Sequence, residues 1–168
     1  MKPIQSFDAA SRASANVLIL GSMPGKASLT AQEYYAHPRN AFWKIMEQLF
    51  GISSSAPYPQ RLRQLTAKRV ALWDVMRACR RESSLDSDIV DASIVPNDFA
   101  SFFDAHPKID CVYFNGAKAE SSYRRHVSPM LASPDPVAYV RLPSTSPAHA
   151  ALSLKQKIAA WKRITRGT

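Results

Sequence analysis

The chain has 168 residues, 46% hydrophobic and 21% charged, which suits one domain with its own core and excludes a disordered segment. A net charge of +9 points to a polyanionic partner, nucleic acid ahead of an anionic membrane surface. Cys79 and Cys111, the two cysteines, cannot hold a four-cysteine iron–sulfur cluster or a zinc site on their own, nor build a disulfide framework; a reducing, cytoplasmic setting is expected. Met1 to Asn16 lacks the apolar stretch of a signal peptide, and no run reaches membrane-spanning length.

Val17-Leu18-Ile19-Leu20 is an apolar run ending in Gly21, read as a buried parallel strand. Phe42, Ile45, Met46 and Leu49 recur at helical spacing over 41–50, and Gly51 stops them. The Ser/Pro stretch from Ser53 to Pro59 reads as a surface loop, and Gln60 to Arg69 as a basic amphipathic helix. Val70 to Trp73 is a second strand. Asn97 is placed as the cap of a helix that ends before Pro107. Cys111 to Phe114 is a third strand, followed by an Asn115-Gly116 turn and a helix from Ala117 to Val127. Val137 to Leu142 is a fourth strand, and Leu154 to Arg166 a closing helix with Ile158, Trp161 and Ile164 on one face. Strands alternating with helices predict an α/β fold, a three-layer α/β/α sandwich around a four-stranded parallel sheet, as one domain over 1–168. Sites in such folds lie in loops at the carboxyl ends of strands. Three loops there carry unusual chemistry: Gly21–Asn40, Asp74–Ile89 and Pro143–His149.

Gly21-Ser22-Met23-Pro24-Gly25-Lys26 has the glycines of a tight turn that brings backbone N–H groups near a ligand. It is not a P-loop, because only three residues separate its glycines and Ala27 follows Lys26. Downstream stands Tyr34-Tyr35-Ala36-His37-Pro38-Arg39-Asn40-Ala41-Phe42-Trp43-Lys44. The two segments together resemble the mismatch-specific uracil and thymine DNA glycosylases. They look most like the hypoxanthine-DNA glycosylase branch of the uracil-DNA glycosylase superfamily, often numbered family six. The resemblance runs from Leu18 to about Ala150.

That resemblance implies the uracil-DNA glycosylase fold and a monofunctional enzyme of base excision repair. Such an enzyme flips a damaged nucleotide out of the helix, stacks its base on an aromatic and hydrolyses the glycosidic bond through an oxocarbenium-like sugar. It implies Tyr35 as the stacking platform, Gly21, Ser22 and Met23 as base-binding, and Asn40 as the residue that holds the attacking water. Asn40 is equally a helix cap by position, and the two roles are compatible because its oxygen and amide are separate groups. Related branches carry Asp or Asn where Met23 stands. Methionine cannot orient or deprotonate water, which puts uracil excision in doubt and shifts weight onto Asn40, with His37 in reserve.

Asp74 stands where uracil-specific relatives have Asn. An ionised Asp only accepts, so it suits the N1–H of hypoxanthine and rejects adenine; its alternative is pairing with Arg77 or Arg80, or capping a turn. Phosphate contacts are expected from some of Arg77, Arg80 and Arg81, and from Lys26 and Arg39. Leu142-Pro143-Ser144-Thr145-Ser146-Pro147-Ala148-His149 resembles the superfamily's last motif, which implies that Ser144, Thr145 and Ser146 grip phosphate and that Ala148 and His149 project into the duplex. Leu142 has no donor for a base carbonyl. Asn115-Gly116 is read as a structural turn. No metal or cofactor is expected, and no membrane; the expected partner is double- or single-stranded DNA carrying a damaged base, bound by a monomer at the bacterial nucleoid. Deoxyinosine is the favoured substrate. Alternatives are a uracil or mismatch glycosylase, a non-catalytic damage binder of the same fold, and a nucleotide-binding domain. The last is disfavoured by the failed P-loop spacing.

Overall fold

A computed structural model of the chain describes residues 1–132 and 137–165. Ile4–Gln5 (β1) and Val17–Gly21 (β2) come first, then the helices Lys26–Ala31 (α1), Phe42–Phe50 (α2) and Tyr58–Ala67 (α3), then Val70–Asp74 (β3). Met76–Cys79 (β4), Val95–Pro96 (β5), Phe99–Ala105 (α4) and Cys111–Asn115 (β6) follow. Ala117–His126 (α5), Ala138–Leu142 (β7) and Leu154–Trp161 (α6) complete the order, with a 3-10 turn over Lys162–Thr165.

The expected four-stranded parallel sheet is present, in the order β3-β2-β6-β7. Alternate residues of its strands face opposite sides, so two cores form. Val17, Ile19, Val70, Leu72 and Tyr113 pack on α2, α3 and α6 through Phe42, Ile45, Leu65 and Trp161. Leu18, Leu20, Val112 and Phe114 pack on α4 and α5 through Phe99, Phe102, Ala119 and Tyr123. Both faces of β2 and β6 are therefore buried, which explains their continuous apolar runs. The chain leaves β2 to one side for β3, then crosses to β6 on the other. The crevice between β2 and β6 is thus the topological switch point, where open α/β sheets place their ligands.

Several local expectations are corrected. The first loop contains α1. Tyr58 and Pro59 belong to α3, not to a surface loop, because proline is well tolerated in a first helical turn. The cap of α4 is Asp98, whose carboxylate accepts from the Ser101 N–H, while Asn97 turns inward and donates to the Asp74 carbonyl. Regular α-helix ends at Trp161, and the expected helix end at Arg166 lies outside the described residues. A second, antiparallel sheet, β1-β4-β5, was not foreseen; its strands are two to four residues long, too short for alternation to show. Cys79 and Cys111 are both buried free thiols. Among the described residues no helix is long and apolar enough to cross a membrane.

Candidate active site

Register places four residues in a row across the carboxyl edge of the large sheet. Gly21 pairs with Asp74 and Asn115 with Leu142, and the Leu20–Phe114 pairing brings Gly21 beside Asn115. Gly21 is the gap in this row. A Cβ there would lie 2.5 Å from Asp74 Oδ1 and 2.9 Å from Tyr35 Oη. Glycine is required here for space, since a methyl group would displace both oxygens.

Tyr35 is delivered by a strained turn. Its φ is +57°, a left-handed conformation uncommon for an aromatic residue. Neighbouring bonds hold the turn: the Tyr34 N–H donates to Tyr58 Oη (3.0 Å), Trp43 Nε1 to the Tyr34 carbonyl (2.9 Å), and the Ala36 N–H to Ser28 Oγ (3.1 Å). The Tyr35 ring stacks on Phe42, with centroids 4.2 Å apart and planes 24° apart. Its hydroxyl is buried and makes no hydrogen bond, although it lies near Asn115. Burial first, then the Asp74 carboxylate, raises its pKa and keeps it protonated.

Asp74 is 3% exposed, and its Oδ2 has no partner. Burial, reinforced by Asp86 and opposed by Arg81, pushes its carboxyl up to about 7. The alternative, pairing with Arg77 or Arg80, does not occur among the described residues; both are exposed, and the cation acting on Asp74 is Arg81. Arg81 was grouped with the phosphate contacts, but it is 5% exposed and turned inward. Its Nη2 donates to the Pro24 carbonyl (2.7 Å), while Nε and Nη1 are buried without partners. Asp86 is exposed as a residue, yet its carboxylate is turned in to accept from Ser22 Oγ (2.7 Å). The Lys26 N–H also donates to Ser84 Oγ (2.9 Å). The second loop therefore holds the first from below. Neither Arg81 nor Asp86 stood out in the sequence, because a run of Arg, Ser and Asp reads as solvated turn chemistry.

The side chain of Met23 packs with Met76, Cys79 and Ile89 in a small apolar cluster, 6% exposed.

On the other flank, Asn115 is 8% exposed and bonded through both of its side-chain polar atoms. Its Nδ2 donates to Thr145 Oγ1 (3.0 Å), and its Oδ1 accepts from the Thr145 N–H (2.9 Å). The "structural turn" residue is thus a clamp on the third loop, and Gly116, with φ +94°, makes the turn after it. Asn-Gly alone carried no sign of that partner, which lies thirty residues on. The Ala41 N–H donates to the Thr145 carbonyl (2.9 Å), tying the start of α2 to the same loop. Asn40 stands beside this junction. The expected helix cap is corrected: the residue at the cap of α2 is Ala41, and Asn40, one position earlier, closes a side-chain turn in which its Oδ1 accepts from the Phe42 N–H (3.0 Å), with no protein group on its Nδ2 among the bonds of the described residues. Ser144 Oγ accepts from the Ser146 N–H (3.1 Å) and Ser146 Oγ from the Ala148 N–H (3.2 Å), giving the third loop two side-chain turns. Lys26, Arg39 and Arg77 are exposed; His149 is half-buried. Among the described residues no cluster of His, Cys, Asp or Glu is arranged to hold a metal ion.

The arrangement offers an aromatic face, a buried carboxyl beside a phenol, an amide just before a helix and a hydroxyl-rich loop, all at the carboxyl edge of the large sheet or on the loops tied to it. The model of the Uracil DNA glycosylase superfamily matches residues 7–165. Two proteins named hypoxanthine DNA glycosylase are similar to this chain. The one from Methanosarcina barkeri is 39% identical over 61% of this chain and 65% of its own length, just under two thirds. The one from Methanosarcina acetivorans is 38% identical over 68% of this chain and 72% of its own. The solution NMR structure of a Methanosarcina acetivorans protein, described as a candidate uracil DNA glycosylase, superposes with a TM-score of 0.81 at 33% identity, covering 98% of both chains. The chain belongs to the uracil DNA glycosylase superfamily.

Proposed function

We propose that this chain is a monofunctional DNA glycosylase that removes deaminated bases, deoxyinosine first, as a single domain. The observation that carries the reading is a carboxyl and a phenol set against Gly21, each with a buried oxygen that has no partner, Asp74 Oδ2 and Tyr35 Oη, the Asp74 oxygen nearest Gly21 being Oδ1. Buried polar atoms are nearly always paired, so two orphans at a switch-point crevice call for a polar ligand edge. The N1–H and O6 of hypoxanthine match them. The carboxylate accepts from N1–H, and the phenol, held protonated, donates to O6. Adenine has a lone pair at N1 and leaves the ionised form of Asp74 unmatched.

In the mechanism that follows, the flipped base enters the crevice beside Tyr35, whose ring is braced by Phe42. The glycosidic bond lengthens toward an oxocarbenium-like sugar, and the departing base takes the electron pair. Asn40 holds the water that captures the sugar. One Oδ1 lone pair is occupied by the Phe42 N–H, while the other and the Nδ2 group remain for that water. Ser144, Thr145 and Ser146 grip the backbone, with Lys26, Arg39, Arg77 and His149 on the DNA side. The names of the two Methanosarcina relatives support hypoxanthine over uracil.

Base release from matched duplexes carrying deoxyinosine, uracil, xanthine or a G·T mismatch tests this, read by alkali cleavage. Deoxyinosine is expected to be cut fastest, and Asn40→Ala to slow it by about 100-fold. Asn40→Ser keeps an oxygen for the Phe42 N–H, so equal loss in both variants assigns the defect to the missing amide. Faster release of uracil overturns the base assignment but not the enzyme class; release from none of the duplexes moves the protein to damage binding.

A further inference from the structure

Lys157 lies one turn into α6 and is 5% exposed. Its Nζ donates to the carbonyl of His149 (2.7 Å) and, more loosely, to that of Ser146 (3.4 Å). Both carbonyls belong to the Pro143–His149 loop. No ion pair of the described residues includes Lys157. Three circumstances oppose a charge at this place. It is desolvated, which lowers its pKa; it lacks a counter-ion; and it sits toward the positive end of the α6 dipole. A methionine would fill the space with none of these costs.

The loop above it shows what the charge serves. Lys157 draws two of the loop's carbonyls inward. The Ser144 and Ser146 hydroxyls accept from the N–H groups of Ser146 and Ala148, so each keeps its O–H hydrogen to donate elsewhere. Trp161 Nε1 binds the Pro143 carbonyl (2.9 Å), and Asn115 binds both the N–H and the hydroxyl of Thr145. Acceptors are thereby turned in and donors left out, over a buried positive charge. We propose that Lys157 is a positioning residue for DNA: it fixes the loop in this donor-outward form and supplies the charge that a backbone phosphate on Ser144–Ser146 completes. The proposal rests on the DNA-binding reading, not on base identity or on catalysis.

Binding of an undamaged duplex, followed by fluorescence anisotropy across a salt series, separates it from a packing role. Wild type, K157M and K157R are compared, together with melting of each free protein and single-turnover release at saturating enzyme. For K157M we expect about 10-fold weaker binding at about 0.1 M salt and a log–log salt slope shallower by about half to one. Its free protein should melt no lower than wild type, because an unpaired buried charge has been removed. Its single-turnover rate should stay within about 3-fold, and K157R should restore the slope. A K157M protein with wild-type affinity and slope overturns the proposal. So does one whose melting point and affinity fall together without rescue by K157R. A wild-type protein that binds no duplex overturns the DNA reading as well.

Discussion

The two flanks of Gly21 are built on opposite principles. On the Asn115 side the polar groups are matched: one side chain satisfies both the N–H and the hydroxyl of Thr145. On the Asp74 side they are not. Asp74 Oδ2, Tyr35 Oη and two guanidinium nitrogens of Arg81 are buried without partners. Matched polar groups make a rigid support, and unmatched ones raise the free energy of the empty site until a ligand pairs them. On the proposed reading, the difference gives scaffold work to one flank and recognition to the other, within one row of residues on one sheet edge.

Adding a methyl group at the centre of the row breaks the comparison most severely. Gly21→Ala forces a Cβ against Asp74 and Tyr35, whose ring cannot retreat because Phe42 backs it. Excision should fall by on the order of 1000-fold, as both groups lose their geometry together. A variant within about 10-fold of wild type would mean that neither oxygen touches the base. Asp74→Asn comes next, with deoxyinosine release down about 100-fold and uracil gaining relative to it, because an amide matches uracil's edge. The same substitution has a signature in stability. Asp74 titrates near 7 when folded against an ordinary 3.8, so the native state holds the extra proton between those values. Wild-type stability should therefore fall as pH rises from about 4 to about 7 and level off above, by up to about 4 kcal/mol from this group. Asp74→Asn should flatten that slope and raise stability at pH 8, with little change at pH 4, as seen in urea midpoints. A slope that survives the substitution would place the titration elsewhere.

On the matched flank the expected effect is smaller and of another kind. Asn115→Ala leaves the Thr145 N–H and hydroxyl without partners, costing about 2 kcal/mol of stability, and it loosens the loop that α2 also holds. KM should rise by about 10-fold while the rate at saturating enzyme changes less. A loss confined to the rate would move Asn115 to the recognition side.

How far this contrast could be read in advance depends on the range of the interactions. The large sheet was legible because apolar runs such as Val17–Leu20 are local signals, and a strand buried on both faces needs no partner information. Tyr35, Asn40 and Asp74 were legible through resemblance of contiguous motifs. Asn115 was visible as a residue but not as a clamp, since Thr145 approaches only when β6 and β7 align. Arg81 and Lys157 looked like ordinary surface cations. Their burial depends on how a loop folds back and on a helix end packing under another loop, and neither leaves a periodic trace. The short strands β1, β4 and β5 escaped because pairing across the chain, not alternation along it, defines them.

Met23 tests the contrast at its weakest point. It belongs to the Asp74 flank by sequence position, yet its side chain packs among Met76, Cys79 and Ile89. Met23→Leu conserves volume and should leave deoxyinosine excision within about 2-fold, at less than about 1.5 kcal/mol of stability. Met23→Asn instead buries an amide in an apolar cluster and should cost about 1–3 kcal/mol without creating uracil excision. Urea melts and the uracil duplex read both. Were Met23→Asn to release uracil efficiently, the side chain at this position would have to swing from the cluster into the crevice. The absence of a carboxylate or amide there would then be a direct determinant of base choice, not a consequence of packing beneath the loop.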